Sequence, residues 1–183
     1  VGAGWLNEEF DALGVPSGRK WARTEEHIRV WKELWTANDP SFCGEFYRFS
    51  NVQSRPQPMQ KPHPPISIGG NGKACFKRIV ALADGWQVVS EGPGDVYSLD
   101  GDLSKDLATL YQVAEEAGRD PKTIEVTAVV IAGTADSVLQ DLPHYERLGV
   151  SRLILDFPAF ESNPDKMAKI LDTIASRASM QGV

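Results

Sequence analysis

From Pro65 onward the chain alternates short, apolar, β-rich runs with stretches of helical periodicity, and no other feature restricts its fold so strongly. Ile66-Ser67-Ile68 leads into Gly69-Gly70; Trp86-Gln87-Val88-Val89, Ile124 to Ile131 and Arg152 to Phe157 are the later runs. Between the first two, Phe76, Ile79, Val80, Leu82 and Ala83 fall on one side of a helix. Leu103, Leu107, Leu110, Val113, Ala114 and Ala117 recur at three- and four-residue spacing, the period of an amphipathic helix. Gly118 and Pro121 stop that helix, as a C-terminal glycine followed by proline should. The last helix takes Asn163 as its cap and Pro164 in its first turn, with Met167, Ile170, Leu171, Ile174 and Ala178 on one face. A third helical stretch, Ser137 to Leu148, contains Pro143, and an interior proline costs ~3 kcal/mol. A kink is expected there, or a fresh start with Asp141 near the cap. Strands separated by helices run parallel and are covered on both sides, which suits short uninterrupted apolar runs. An open doubly wound sheet and part of a (β/α)8 barrel both fit this order.

Before Pro65 the pattern changes. Trp21 to Trp35 reads as a helix with Ile28, Trp31, Leu34 and Trp35 on one stripe. Phe42 to Tyr47 reads as a hairpin in which Gly44 opens a type II′ turn. Residues 51–65 hold five prolines and form an irregular, packed connection. Apolar residues at 42% and charged residues at 24% suffice for a real core. A net charge of −6 argues against nucleic-acid binding, which needs a surplus of basic groups on one face. No run approaches the ~18 apolar residues that a membrane span requires. Cys43 and Cys75 have no metal-ligand spacing, so a reducing, cytoplasmic setting is expected.

The strongest local signal for chemistry is Gly69-Gly70-Asn71-Gly72-Lys73, which leaves a strand and enters a helix. Small residues let the backbone approach a ligand, and the free N–H groups of a helix's first turn attract phosphate. The competing reading is a tight turn that binds nothing; the loop matches neither a Walker loop nor a dinucleotide fingerprint. Gly2-Ala3-Gly4, followed by Trp5 and Asn7, has the look of the end of a strand whose body lies before residue 1, although a flexible terminus is the simpler reading of these residues alone. His27, His63 and His144 share no metal-ligand spacing, so no metal site is expected. No Gly-x-Ser-x-Gly elbow occurs. Glu8-Glu9 and Glu115-Glu116 read as solvated helix faces, and Trp31 and Trp35 as core. No catalytic acid, base or nucleophile identifies itself by spacing.

The run from Gly2-Ala3-Gly4-Trp5-Leu6-Asn7 to Gly14-Val15-Pro16 resembles the luciferase-like monooxygenase family, especially its deazaflavin (coenzyme F420) branch. The likeness continues in order through Arg23-Thr24-Glu25-Glu26, Phe42-x-Gly-x-Phe-Tyr, Pro56-x-Pro-x-Gln and Pro62-His63-Pro64-Pro65-Ile66. Ile68-Gly69-Gly70, Ala83-Asp84-Gly85-Trp86 and Glu115 to Pro121 extend it over nearly the whole chain. The resemblance implies a (β/α)8 barrel with an insertion before its fifth strand. One luciferase-like domain over residues 1–183, with 36–65 as that insertion, would then run from the end of strand four to helix eight. A full barrel takes ~250 residues, so the chain is expected to be the C-terminal portion of a longer protein.

The resemblance also implies an oxidoreductase that uses reduced F420 or, alternatively, FMN at the C-terminal mouth of the barrel. Gly69, Gly70 and Asn71 match the cradle for the cofactor's phosphate. Gly2, Gly4 and Asn7 match the loop that lines its ring, and Trp86 matches a tryptophan that packs. Proton-handling residues would lie in strands one to three, outside this sequence. Partners implied are a small-molecule substrate, a flavin or F420 reductase and a second copy of the chain. A non-catalytic half-barrel that serves as a binding or assembly module is the rival. In either case a half-barrel should expose apolar side chains on its inner face.

Overall fold

The computed structural model describes residues 1–88, 102–131, 134–156 and 163–181. Its elements are α1 (Asn7–Ala12), α2 (Lys20–Thr36), β1 (Phe42–Cys43), β2 (Arg48–Phe49), β3 (Ser67–Gly69) and α3 (Lys73–Leu82). They continue with β4 (Gly85–Val88), α4 (Asp102–Glu116), β5 (Glu125–Ile131), α5 (Ala135–Arg147), β6 (Arg152–Asp156) and α6 (Pro164–Gln181). Val89 and Phe157, expected at strand ends, lie outside the described residues, as does the Ala178 side chain.

Strands β3, β4, β5 and β6 form one parallel sheet in chain order, with Ile68 opposite Trp86, Trp86 opposite Val126, and Ala128 opposite Leu153. A doubly wound sheet needs a reversal of strand order, and none occurs here. With right-handed crossovers, an unreversed order sends every connecting helix to the same face. On that face Ile68, Trp86, Val88, Val126, Ala128 and Val130 join Phe76, Ile79, Leu107 and Leu110 in the core. Trp86 and Phe76 are wholly buried and meet edge to face at 5.2 Å between ring centres, a geometry favoured by the ring quadrupoles.

The other face corrects an expectation. Ser67, Gly69, Gly85, Gln87 and Thr127 alternate with the core residues, and of the apolar side chains described there, Val129 is half-buried and Ile154 is 41% exposed. Among the described side chains this face is therefore mostly polar, with apolar exposure confined largely to Ile154. Short polar side chains keep strand geometry while leaving the surface wettable.

Two further expectations change. Helix α5 is continuous through Pro143 and starts at Ala135, where Thr134 and Ser137 form a reciprocal cap; Asp141 opens nothing. A capping box fixes the start seven residues before the proline would. The hairpin of β1 and β2 pairs Phe42 with Phe49 and Cys43 with Arg48, so its loop is the four residues Gly44 to Tyr47. A two-residue type II′ turn is absent, and Gly44 has no positive φ. What shapes the loop is Glu26 of α2. Its buried carboxylate accepts the backbone N–H groups of Glu45 (3.0 Å), Phe46 (2.8 Å) and Tyr47 (2.7 Å). A Cβ on Gly44 would collide with Glu26 Oε1, which accounts for the glycine by close approach.

The α2 stripe is partly right. Ile28 is fully buried, whereas Trp31 and Trp35 are half-buried and belong to an aromatic row, Tyr47–His27–Trp31–Trp35–His63, at centroid spacings from 4.3 to 6.3 Å. In α6, Asn163 Oδ1 caps the amides of Asp165 and Lys166 as expected, but Leu171 is 46% exposed. Among the described residues no helix is long and apolar enough to cross a membrane.

Candidate functional site

Strand β3 ends at Gly69, and α3 begins four residues later with Gly72 as its cap position. Gly70 has φ 121° and Gly72 has φ 85°, conformations that side chains resist. Gly72 brings no capping side chain, so the first-turn amides of Lys73, Ala74 and Cys75 have no acceptor within the helix. A Cβ at Gly72 would meet nothing within 4 Å. The loop thus leaves space directly before a positive helix end, a geometry suited to an anion.

Trp86 anchors the loop from below, its Nε1–H donating to the Gly70 carbonyl at 2.8 Å. Cys75 sits beneath it with Sγ 3.8 Å from the Gly69 carbonyl, and burial pushes its thiol pKa up. Gly69 contributes room rather than a donor, because its N–H is spent on the Val1 carbonyl at 2.9 Å. The Val1 amino group in turn donates to the Ser67 carbonyl at 2.6 Å. Together these two bonds are the pattern of a parallel rung, with Val1 opposite Ile68. The strand-like reading of the first residues agrees with this.

Beside the rung lies an open cleft of about 370 Å³ lined by Val1, Gly2, Gly69, Gly70 and Gln87. It brings Gly2 beside the Gly69-Gly70 loop, although the two are far apart in the chain. Gly4 and Asn7 do not line it. Gly4 lies against the Phe10 ring, and Asn7 opens α1 with its Oδ1 accepting from Lys20 Nζ at 2.8 Å. Asn71 belongs to the turn between β3 and α3. Gln87 was not singled out from the sequence. The signal that could have found it is its alternation with buried Trp86 and Val88, which puts it on the polar face.

The other motifs serve the scaffold. Asp84 Oδ2 accepts the Ile66 amide at 2.7 Å, fixing the entry to β3. Arg119 reaches across to the end of α3 and donates through Nη1 to the carbonyls of Ile79 (3.2 Å), Val80 (2.9 Å) and Ala83 (2.8 Å). Among the described residues there is no cluster of three or more His, Cys, Asp or Glu side chains able to hold a metal.

Comparison with known proteins gives a consistent picture. A family model described as luciferase-like monooxygenase matches residues 1–178. An uncharacterized Mycobacterium tuberculosis protein is 29% identical over 178 residues, which are 97% of this chain and 57% of that protein. An FMNH2-dependent dimethylsulfone monooxygenase of Pseudomonas putida is 43% identical over 87 residues, 46% of this chain and 24% of that enzyme. A solved F420-dependent secondary alcohol dehydrogenase, in complex with an F420-acetone adduct, shares the fold with a TM-score of 0.70. Its identity is 16%, and the match covers 95% of this chain and 68% of that one. The chain spans just over half the length of the curated relatives it matches most fully.

Proposed function

The chain belongs to the luciferase-like monooxygenase family, and from that premise we propose that it supplies the cofactor-phosphate half of a (β/α)8 oxidoreductase. In this reading β3 to β6 are strands five to eight, residues 36–65 are the insertion before strand five, and Val1 closes the preceding strand. The unreversed sheet and the Val1 rung support it.

The proposed cofactor is reduced F420. When bound, such a group supplies a hydride, or, as reduced FMN, a ring on which oxygen is activated. The protein's part is binding and placement. The amides opening α3, with Lys73 alongside, balance the phosphate charge, while Gly69, Gly70 and Asn71 let it approach. Gly2 borders the same cleft, and Gly4 and Asn7 are assigned to the ring-side loop. No catalytic residue is assigned; the proton-handling groups belong to the other half of the barrel. A small organic substrate, a reductase that recycles the cofactor, a cytoplasmic setting and self-association complete the reading.

The observation that carries this proposal is the glycine loop that ends β3 before the side-chain-free cap of α3. Its test is Gly70→Val, titrated with F420, FMN and inorganic phosphate. Affinity for all three should fall at least about tenfold, because valine resists a φ of 121° and its Cβ would press on Cys75 Sγ, 3.4 Å away, so the loop must shift. Unchanged affinity would reduce the loop to a turn. FMN is the second reading, favoured by the 43% identity to the FMNH2-dependent relative. Comparing the wild-type affinities for F420 and FMN separates the two.

A further inference from the structure

Among the described residues, Gln87 contributes the only polar side chain to the cleft that Val1, Gly2, Gly69 and Gly70 otherwise line with backbone and one aliphatic group. It is half-buried, and its amide makes no hydrogen bond to any described residue. Gly69 is its partner across the β3–β4 ladder, so the two Cα atoms stand about 4.8 Å apart. Thr127 is the next residue on the same rung. Because Gly69 has no side chain, the Gln87 amide has clear space on the side of the loop that precedes α3.

We propose that Gln87 is a specificity-determining residue that grips the polyol segment of a phosphorylated polyol ligand. This rests on the phosphate cradle proposed above. With the phosphate at the first turn of α3, the cleft one strand over takes the carbon chain esterified to it. In flavin and deazaflavin nucleotides that chain is ribityl, a row of hydroxyls each able to donate and accept. A primary amide carries two donors and an accepting oxygen, so it can bind adjacent hydroxyls at once. It is also neutral and does not repel the phosphate. A carboxylate in its place would lose both donors and add a like charge.

The test compares wild type, Gln87→Ala and Gln87→Glu against four probes. FMN carries ring, chain and phosphate; riboflavin lacks the phosphate; lumiflavin lacks chain and phosphate; inorganic phosphate is the anion alone. Binding is read from the amide resonances of Gly69 and Gly70 and the indole N–H resonance of Trp86. Gln87→Ala should weaken FMN and riboflavin about five- to tenfold, the worth of one or two hydrogen bonds. Inorganic phosphate and lumiflavin should bind it as they bind wild type. Gln87→Glu should lose more affinity for FMN than for riboflavin. Equal affinity of wild type and Gln87→Ala for FMN and riboflavin would overturn the assignment while leaving the cradle standing. A parallel loss for inorganic phosphate would also overturn it, as a collapse of the loop. Failure of wild type to bind FMN, F420 and phosphate alike would remove the cradle and this inference together.

Discussion

At the scale of single residues, Glu26 is the most consequential side chain outside the cleft. Burial works to raise its pKa, but three backbone donors and the charge of Arg29 outweigh it, leaving the group below its ordinary value of 4.5. A carboxylate with a lowered folded pKa stabilises fully above its unfolded value and loses that contribution as pH falls through the folded one. Acid should therefore loosen the Gly44–Tyr47 loop below about pH 4.5, near the unfolded glutamate value. His27, stacked on Tyr47, acts in the same direction at higher pH. Burial, then Arg23, lower its pKa from 6.5 against the pull of Glu26, so its support begins to fade below that point. Amide exchange at Glu45, Phe46 and Tyr47, followed against pH, should show these steps. Glu26→Ala should speed exchange of all three by at least about tenfold and remove the acid step. The atoms lost beyond Cβ amount to an acetate ion, so added acetate should slow exchange again. Exchange that ignores both the substitution and acetate would show that the loop stands without this carboxylate.

At the scale of elements, helix ends were the most legible part of the sequence. Asn163-Pro164 and Gly118 mark boundaries through contacts within a few residues, and the structure has them where local chemistry puts them. Alternation made the strands parallel but left two orders open, and only the family resemblance pointed to the unreversed one. What could not be read spans many residues. Gly44 looked like turn chemistry, yet its reason is a carboxylate eighteen positions earlier in the chain. Trp86 looked like packing; its bond to the Gly70 carbonyl also braces the candidate site. Gln87 carries no motif and becomes visible only when β3 and β4 are laid side by side. The end of α3 is a similar case, closed by Arg119 from beyond α4. Its cation offsets the negative helix end and satisfies carbonyls that the helix cannot. Arg119→Met should destabilise the protein by about 1–3 kcal/mol in urea unfolding, with Arg119→Lys recovering part of it. Equal stability of Arg119→Met and wild type would show that solvent serves those carbonyls as well.

For the whole molecule, the sheet has one face filled by helices and another that is mostly polar among the described side chains. On the proposed reading that second face is the lining of a barrel mouth, whose proton-handling groups come from other strands. The 183-residue chain by itself should then show no measurable turnover with reduced F420 or reduced FMN, assayed by cofactor oxidation. Steady turnover would place the full catalytic set within these residues. The rung formed by Val1 has a different consequence, for how safely the molecule coexists with its own copies. An exposed sheet edge is a template on which foreign strands polymerise. Here Val1 already occupies the Ser67 carbonyl and the Gly69 amide of that edge. Immediately upstream, Pro64 and Pro65 have no N–H to offer. An invading strand finds the Gly69 donor taken and, at Pro64 and Pro65, no N–H to pair with, so the diproline that leads into the first strand of the sheet shortens the stretch on which a foreign strand could grow.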